Sequence, residues 1–352
     1  MRRSLKLAAV VLSGSLGMAS LAACGAKSTD NTSASASGGS GLKIGMAYDI
    51  GGRGDQSFND SAARGLDQAK AELGATVFEA EAKTGEAETD KEQRLKDLVT
   101  NGYNPIIAVG FVYQGAVEKV AKDNPNVKFA IIDSASPTQP SNVTSLTFTE
   151  EQGSYLAGVA AASKSKSGTI GFIGGVQSEL IKKFEAGYVA GAKSINPNIN
   201  VLTTYLTTPP DFSGFNDPGK GKQAAQGQLD KGADVIYAAA GSSGNGSIEA
   251  VATAGKWAIG VDSDQASQPA LSKYKNNILT SMVKNVNVAV FDYSKSFKDG
   301  NPITGVKVFD LKGNGVSLAT TGGHIDDIKA KLQSATDAIT SGATKVPTAP
   351  QS

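Results

Sequence analysis

From residue 42 onward, short apolar runs alternate with longer stretches in which apolar residues recur every three or four positions. Leu42 to Ile50 (LKIGMAYDI) is the first apolar run and predicts a strand. Residues 57–73 follow, with Ala62, Leu66 and Ala69 on one face and Asp67, Gln68 and Lys70 on the other. That spacing predicts an amphipathic helix. The alternation continues with strands expected over 75–80, 105–110, 128–133 and 143–148, and helices over 89–101 and 113–124. It then restarts. A Gly/Ala-rich helix is expected over 153–163, strands over 169–174, 200–206, 233–239 and 257–262, and helices over 180–195, 219–231 and 247–255. Segments 278–283, 285–298, 305–309 and 325–341 complete the pattern. Continuous apolar strands between helices are what a parallel sheet covered on both faces requires. Two such series predict an α/β fold of two lobes. No long Pro-rich linker separates them, so short hinge crossovers must join them. Ligands of open α/β sheets bind beyond the carboxyl ends of the strands. Two facing lobes would form a cleft there.

The first 41 residues break this pattern. Arg2, Arg3 and Lys6 precede an apolar run from Leu7 to Leu12, and small or apolar residues continue to Ala23. The run is too short and interrupted for a stable membrane span and reads as a secretion signal. It ends in Leu21-Ala22-Ala23-Cys24-Gly25, which resembles the bacterial lipobox, with Cys24 as the lipidated residue. Residues 25–41 are rich in Ser, Ala, Gly and Thr, with almost nothing to bury, and read as a flexible tether.

Composition narrows the chemistry. Cys24 is the only cysteine among 352 residues, which excludes a disulfide framework and a thiolate zinc site within one chain. A single histidine, His324, excludes a His-rich metal site. It lies near the last helix, away from any strand end. Thirty-four basic and 33 acidic residues leave no electrostatic footprint for nucleic acid. Loss of residues 1–23 removes Arg2, Arg3 and Lys6 and no acidic group, so the processed chain carries −2.

Polar and aromatic residues gather at the strand ends. After the first strand comes DIGGRGDQSFND (49–60). Its glycine spacing departs from the dinucleotide fingerprint GxGxxG. Asp49 and Asn59 supply an acceptor and an amide, and Phe58 offers a stacking face. Alternatively, Asp55 or Ser57 caps the helix and Phe58 joins the core. Asp133 closes the fourth strand. Phe184 begins a helix of the second series, and Phe215 lies in a Gly/Pro-rich turn. Gly241 opens the run GSSGNG (241–246), read as a loop before a helix N-terminus, where backbone N–H groups favour acceptors. Asp262 and Asp264 end one strand and Lys284 the next. Singly, each charge reads as a cap or a solvated group. Their recurrence at strand ends of both series points to a binding site.

The strings YDIGGRGDQSFND (48–60), FEAGYVAGAKSINP (184–197), FNDPGKGKQAA (215–225), AAGSSGNGSIEA (239–250), IGVDSDQ (259–265) and LTSMVKNV (279–286) resemble the basic membrane protein family of PnrA-like nucleoside-binding lipoproteins. The resemblance spans residues 42–325 in order. It implies a type I periplasmic-binding-protein fold, two Rossmann-like lobes with three hinge crossings, and a purine nucleoside in the cleft. By that resemblance Phe58 stacks on the base, with Phe184 or Phe215 as the second ring. Asp49, Asn59 and Asp133 would bond base edges, Asp262 and Lys284 would hold ribose hydroxyls, and the 241–246 loop would let backbone approach the sugar. The expected organisation is a signal peptide (1–23), lipidated Cys24 with linker (24–41), a first lobe (42–149 plus about 283–304), a second lobe (about 150–282 plus 305–322) and a C-terminal helix and tail (323–352). The expected protein is no enzyme and needs no cofactor or metal. It is a monomer on the extracytoplasmic face of the cell membrane, partnered by an ABC transporter permease and not by nucleic acid. Two alternatives stand beside this reading: a sugar or autoinducer receptor of the same fold, and a lipid-anchored hydrolase using paired carboxylates. No GxSxG nucleophile elbow supports the latter.

Overall fold

The computed structural model describes residues 41–350, so the expectations for the signal peptide, Cys24 and nearly all of the linker lie outside the described residues. Strands and helices alternate, as the apolar pattern predicts. The first series runs β1 (Lys43–Ala47), α1 (Phe58–Leu73), β2 (Thr76–Ala80), α2 (Glu88–Thr100), β3 (Ile106–Ala108), α3 (Gln114–Asp123), β4 (Phe129–Ile132) and β5 (Val143–Phe148). The second runs α4 (Glu150–Lys164), β6 (Thr169–Val176), α5 (Glu179–Ile195), β7 (Asn200–Thr207), α6 (Pro218–Leu229), β8 (Val235–Ala239), α7 (Ser243–Thr253), β9 (Trp257–Asp262) and β10 (Ile278–Lys284). The chain closes with α8 (Val286–Lys298), β11 (Val306–Phe309), β12 (Val316–Leu318) and α9 (Lys329–Thr340).

These strands form two six-stranded sheets, ordered β11-β5-β4-β3-β1-β2 and β12-β10-β9-β8-β6-β7. All pairings are parallel except that of β10 with β12. Every residue of β3, β4 and β8 is buried, as strands covered on both faces must be. The chain passes between the sheets three times: at Thr149, at Asn285 and through residues 310–315. The two sheets and their three crossings make the doubly lobed α/β fold expected from the sequence.

Of the boundaries that differ from expectation, three bear on the lobes and the cavity. Residues 305–309 were expected in the second lobe. Instead β11 lies parallel to β5 at the edge of the first sheet, because the chain stays there after α8 packs on α1. Helix α4 begins at Glu150 rather than Gly153, and α7 at Ser243 rather than Ser247. Both extensions place polar residues in a first turn, Glu150 to Gln152 in α4 and the glycine-containing 243–246 in α7, where apolar periodicity has no signal to give.

Helix contacts account for several of the glycines. A Cβ on Gly158 would sit 2.0 Å from the Tyr188 carbonyl, and one on Gly187 would sit 2.1 Å from the Glu151 carbonyl. Backbone thus meets backbone between α4 and α5, the closeness that small residues permit. Helices α6 and α7 repeat the device through Gly221 and Gly246. No helix among the described residues is long and apolar enough to cross a membrane.

Candidate functional site

The turn after β1 is held by its own carboxylates. Asp55 accepts from the backbone N–H of Ser57 (2.8 Å), Asn59 (2.8 Å) and Asp60 (3.1 Å) at the start of α1. A negative group on free amides at a helix N-terminus is favourable. Burial nevertheless pushes its carboxyl up to about 6. Of the two capping candidates, Asp55 therefore carries the cap. Ser57 makes no side-chain cap bond and donates instead to Asp262 Oδ2 of the other lobe, at 2.6 Å.

Nine of the residues singled out from the sequence line one narrow cavity between the lobes: Asp49, Phe58, Asn59, Asp133, Phe184, Phe215, Gly241, Asp262 and Lys284. The hinge side of this cavity is ionic. Lys284, the last residue of β10, is 2% exposed. Its Nζ lies 2.5 Å from Asp133 Oδ2 and 4.0 Å from Asp262 Oδ1. Burial works against the ammonium, but the charges of Asp133 and Asp262 overcome it and hold Lys284 above its ordinary range. Burial raises the Asp262 carboxyl, and Lys284 opposes that rise. Asp133 (φ 66°) and Asp262 (φ 62°) both occupy the left-handed region at a strand end. Such strain persists where surrounding structure enforces it, often at functional sites. Each lobe thus turns one strained carboxylate toward a shared lysine. Asp133 Oδ1 is buried there without a hydrogen-bond partner.

Aromatic rings surround this cluster. Lys284 Nζ lies 4.6 Å from the Phe58 ring centre and 5.5 Å from that of Phe184, within cation–π range. Phe184 is almost wholly buried, whereas Phe58 and Phe215 are half-buried. Phe215 meets Phe111 of the first lobe edge-on, with ring centres 6.5 Å apart.

The outer end of the cavity is different. Asp49 follows β1, two strands outward from β4. Its Oδ1 accepts from Ile50 N at 2.7 Å, and burial pushes its carboxyl up to about 7. Asn59 Oδ1 accepts from Asp49 N at 3.1 Å, and its amide donates to Ile50 O and Asp55 Oδ2. Asn59 therefore spends its polar atoms on shaping the turn that presents Asp49. Strand order also separates Asp133 from Asp49 and Asn59, the residues it was grouped with, and places it beside Lys284. The run 241–246 is not the loop expected. Gly241 (φ +55°) borders the cavity, but Gly244 and Gly246 lie in α7, where a Cβ on Gly246 would sit 1.8 Å from the Pro218 carbonyl. Those glycines serve helix packing.

Three features escaped the sequence reading. Phe111 follows β3, so the strand-end rule applied to its neighbours could have found it. Glu150, in the first turn of α4, is 1% exposed with Oε1 unpartnered, and burial pushes its carboxyl up to about 7. Lys183 Nζ lies 3.5 Å from its other oxygen. A polar seam also closes the lobes: Ser263 Oγ donates to Ser57 O (2.7 Å), Arg64 to Ser263 Oγ (2.9 Å), and Asn245 to Asp55 O (3.1 Å). Residues so far apart in sequence leave no local signal. No group of three or more potential metal-ligating side chains occurs among the described residues.

Two α/β lobes closed over a cavity at their strand ends define a two-lobed solute-binding protein of the periplasmic-binding type. Residues 42–347 match the family of PnrA-like ABC transporter substrate-binding proteins, and the chain belongs to that family. It is 35% identical to the ABC transporter nucleoside-binding protein BmpA of Lactococcus lactis, over 94% of this chain and 96% of the relative. Identity to basic membrane protein D of Borreliella burgdorferi is 34%, over 75% of each chain. Among solved structures, an ABC transporter solute-binding protein from Aeropyrum pernix superposes with a TM-score of 0.76 at 28% identity, covering 88% of this chain and 94% of that one. A dimeric Lac repressor, at 17% identity and a TM-score of 0.58, shares the fold. The family comprises substrate-binding proteins rather than enzymes.

Proposed function

We propose that this protein is a lipid-anchored, extracytoplasmic receptor that captures a purine nucleoside between its lobes and delivers it to an ABC importer. The observation that carries the reading is the composition of one cavity: a carboxylate–lysine cluster at the hinge side and phenylalanine walls beyond it. Carboxylates accept from vicinal hydroxyls and an ammonium donates to the same oxygens, so the cluster suits ribose. The unpartnered Asp133 Oδ1 beside Lys284 adds one more acceptor, which supports a sugar contact for Asp133 rather than the base contact first expected. Aromatic faces suit a purine, and Phe58 with Phe215 form its two half-buried walls. Asp49 at the outer end would accept from the base edge. Asp133 and Asp262 outnumber Lys284, so a phosphate would meet net negative charge. A neutral nucleoside fits better.

Closure follows from differential affinity. A ligand that touches Asp133 and Asp262 together binds the closed form more tightly than the open one. The lipobox-like end at Cys24 supports anchoring, and Cys24→Ser should move the protein from the membrane to the soluble fraction. A variant that stays bound would contradict the anchor. The ligand test is a thermal-shift screen of residues 40–352, which form one compact unit, against nucleosides, free bases and sugars. Purine nucleosides should raise the melting temperature most. A response to pentoses or hexoses alone would favour a sugar receptor.

A further inference from the structure

A second space of about 380 Å³ adjoins the cavity, and Asp49 and Ile50 line both. Strand order locates it. From the hinge outward the first sheet runs β4, β3, β1, β2, and the second runs β10, β9, β8, β6, β7. Neighbouring strands are about 4.8 Å apart. The ionic cluster lies beyond β4, β9 and β10, and Asp49 lies two strands outward. The second space follows, between the loop after β2 and the turn after β7. On the nucleoside reading, a ligand with ribose on the cluster directs its base edge past Asp49 toward this space.

We propose that the outer space is a subsite for a substituent on the exocyclic amine of the base, so that the protein takes N-substituted purine nucleosides as well as their parents. Ala82, Val112 and Phe212 give it an apolar wall, Thr84 and Ser213 add hydroxyls, and Lys83, Glu86, Lys91 and Asp211 give it a charged rim. That lining suits an arm with an apolar stem. A mono-substituted amine keeps one N–H for Asp49. The hinge end offers no equivalent room, because Asp262 and Lys284 are 5% and 2% exposed.

The proposal is tested by calorimetric titration of residues 40–352 with adenosine, guanosine, N6-benzyladenosine, N2-benzylguanosine and 2′,3′-O-isopropylideneadenosine. A benzylated derivative is expected to bind within about tenfold of its parent, and the ribose-blocked compound to lose about 100-fold or more. Thr84→Trp and Ser213→Trp narrow the outer space from opposite walls. At least one should weaken the benzylated ligand about tenfold with little effect on the parent. Parent binding with a loss of about 100-fold on benzylation overturns the subsite, as does unchanged benzyl affinity in both tryptophan variants. Absence of binding by either parent overturns the nucleoside reading itself, and the subsite with it.

Discussion

Lys284→Met removes the ammonium that lies against both Asp133 and Asp262; Arg64 acts on Asp262 as well, but more weakly. The side chains of Lys284 and Asp133 are each 3% exposed and that of Asp262 is 8% exposed, so water cannot replace the lost ammonium. Removing one partner of a buried ion pair costs about 3–5 kcal/mol. Domain stabilities are about 5–15 kcal/mol, so the variant should fold with much of its margin gone. The loss should depend on pH. Asp262 is already raised by burial against the pull of Lys284, and without that pull it rises further. A carboxyl whose folded pKa exceeds its unfolded value stabilises fully below the unfolded value and loses that contribution as pH rises through the folded one. The deficit should therefore be small near pH 5 and full at pH 8. Urea unfolding followed by circular dichroism at both pH values measures it. A double variant, Lys284→Met with Asp133→Asn, should recover at least half the stability at pH 8 without recovering nucleoside affinity. A deficit below about 1 kcal/mol, or one equal at both pH values, would refute the reasoning.

Further outcomes concern single residues. Phe58→Ala should weaken nucleoside binding by about 1–3 kcal/mol in calorimetry; unchanged affinity removes its stacking role. Asp262→Ala should reduce affinity for adenosine far more than for adenine, and equal losses would remove the ribose assignment. Asp49→Asn keeps an acceptor for Ile50 N but cannot ionise. Because Asp49 is raised to about 7, its stabilising contribution is lost as pH climbs through that value. The variant should thus melt above the parent at pH 8, with the gap closing toward pH 5. Gly187→Ala drives a Cβ to 2.1 Å from the Glu151 carbonyl and should cost about 1–3 kcal/mol in urea unfolding.

The alternation of strands and helices was legible because each apolar run is a whole strand, as Ile106–Ala108 and Phe129–Ile132 show. Most of the cavity residues were legible by one rule: polar and aromatic residues at or just beyond the carboxyl ends of parallel strands line the space between the lobes, with Phe184, inside α5, as the exception. What stayed hidden is relational. The bond from Lys284 to Asp133 joins residues 151 positions apart, and no periodicity reports it. The return of β11 to the first sheet depends on where α8 docks, not on its own four residues. Glycine misled in a specific way. Gly241 borders the cavity, but Gly244 and Gly246, in the same run, belong to a helix and its packing. Asn59, in the first turn of α1, spends its amide within the turn before it, on Ile50 O and Asp55 Oδ2.

The central claim is that one cavity joins a ribose-binding ionic cluster to aromatic walls for a base. Calorimetric titration of a single preparation with adenosine, guanosine, adenine and ribose tests it most directly. The account predicts one site per chain, filled far more tightly by a nucleoside than by the free base or the free sugar. Saturation by ribose or a hexose with no response to either nucleoside would contradict it.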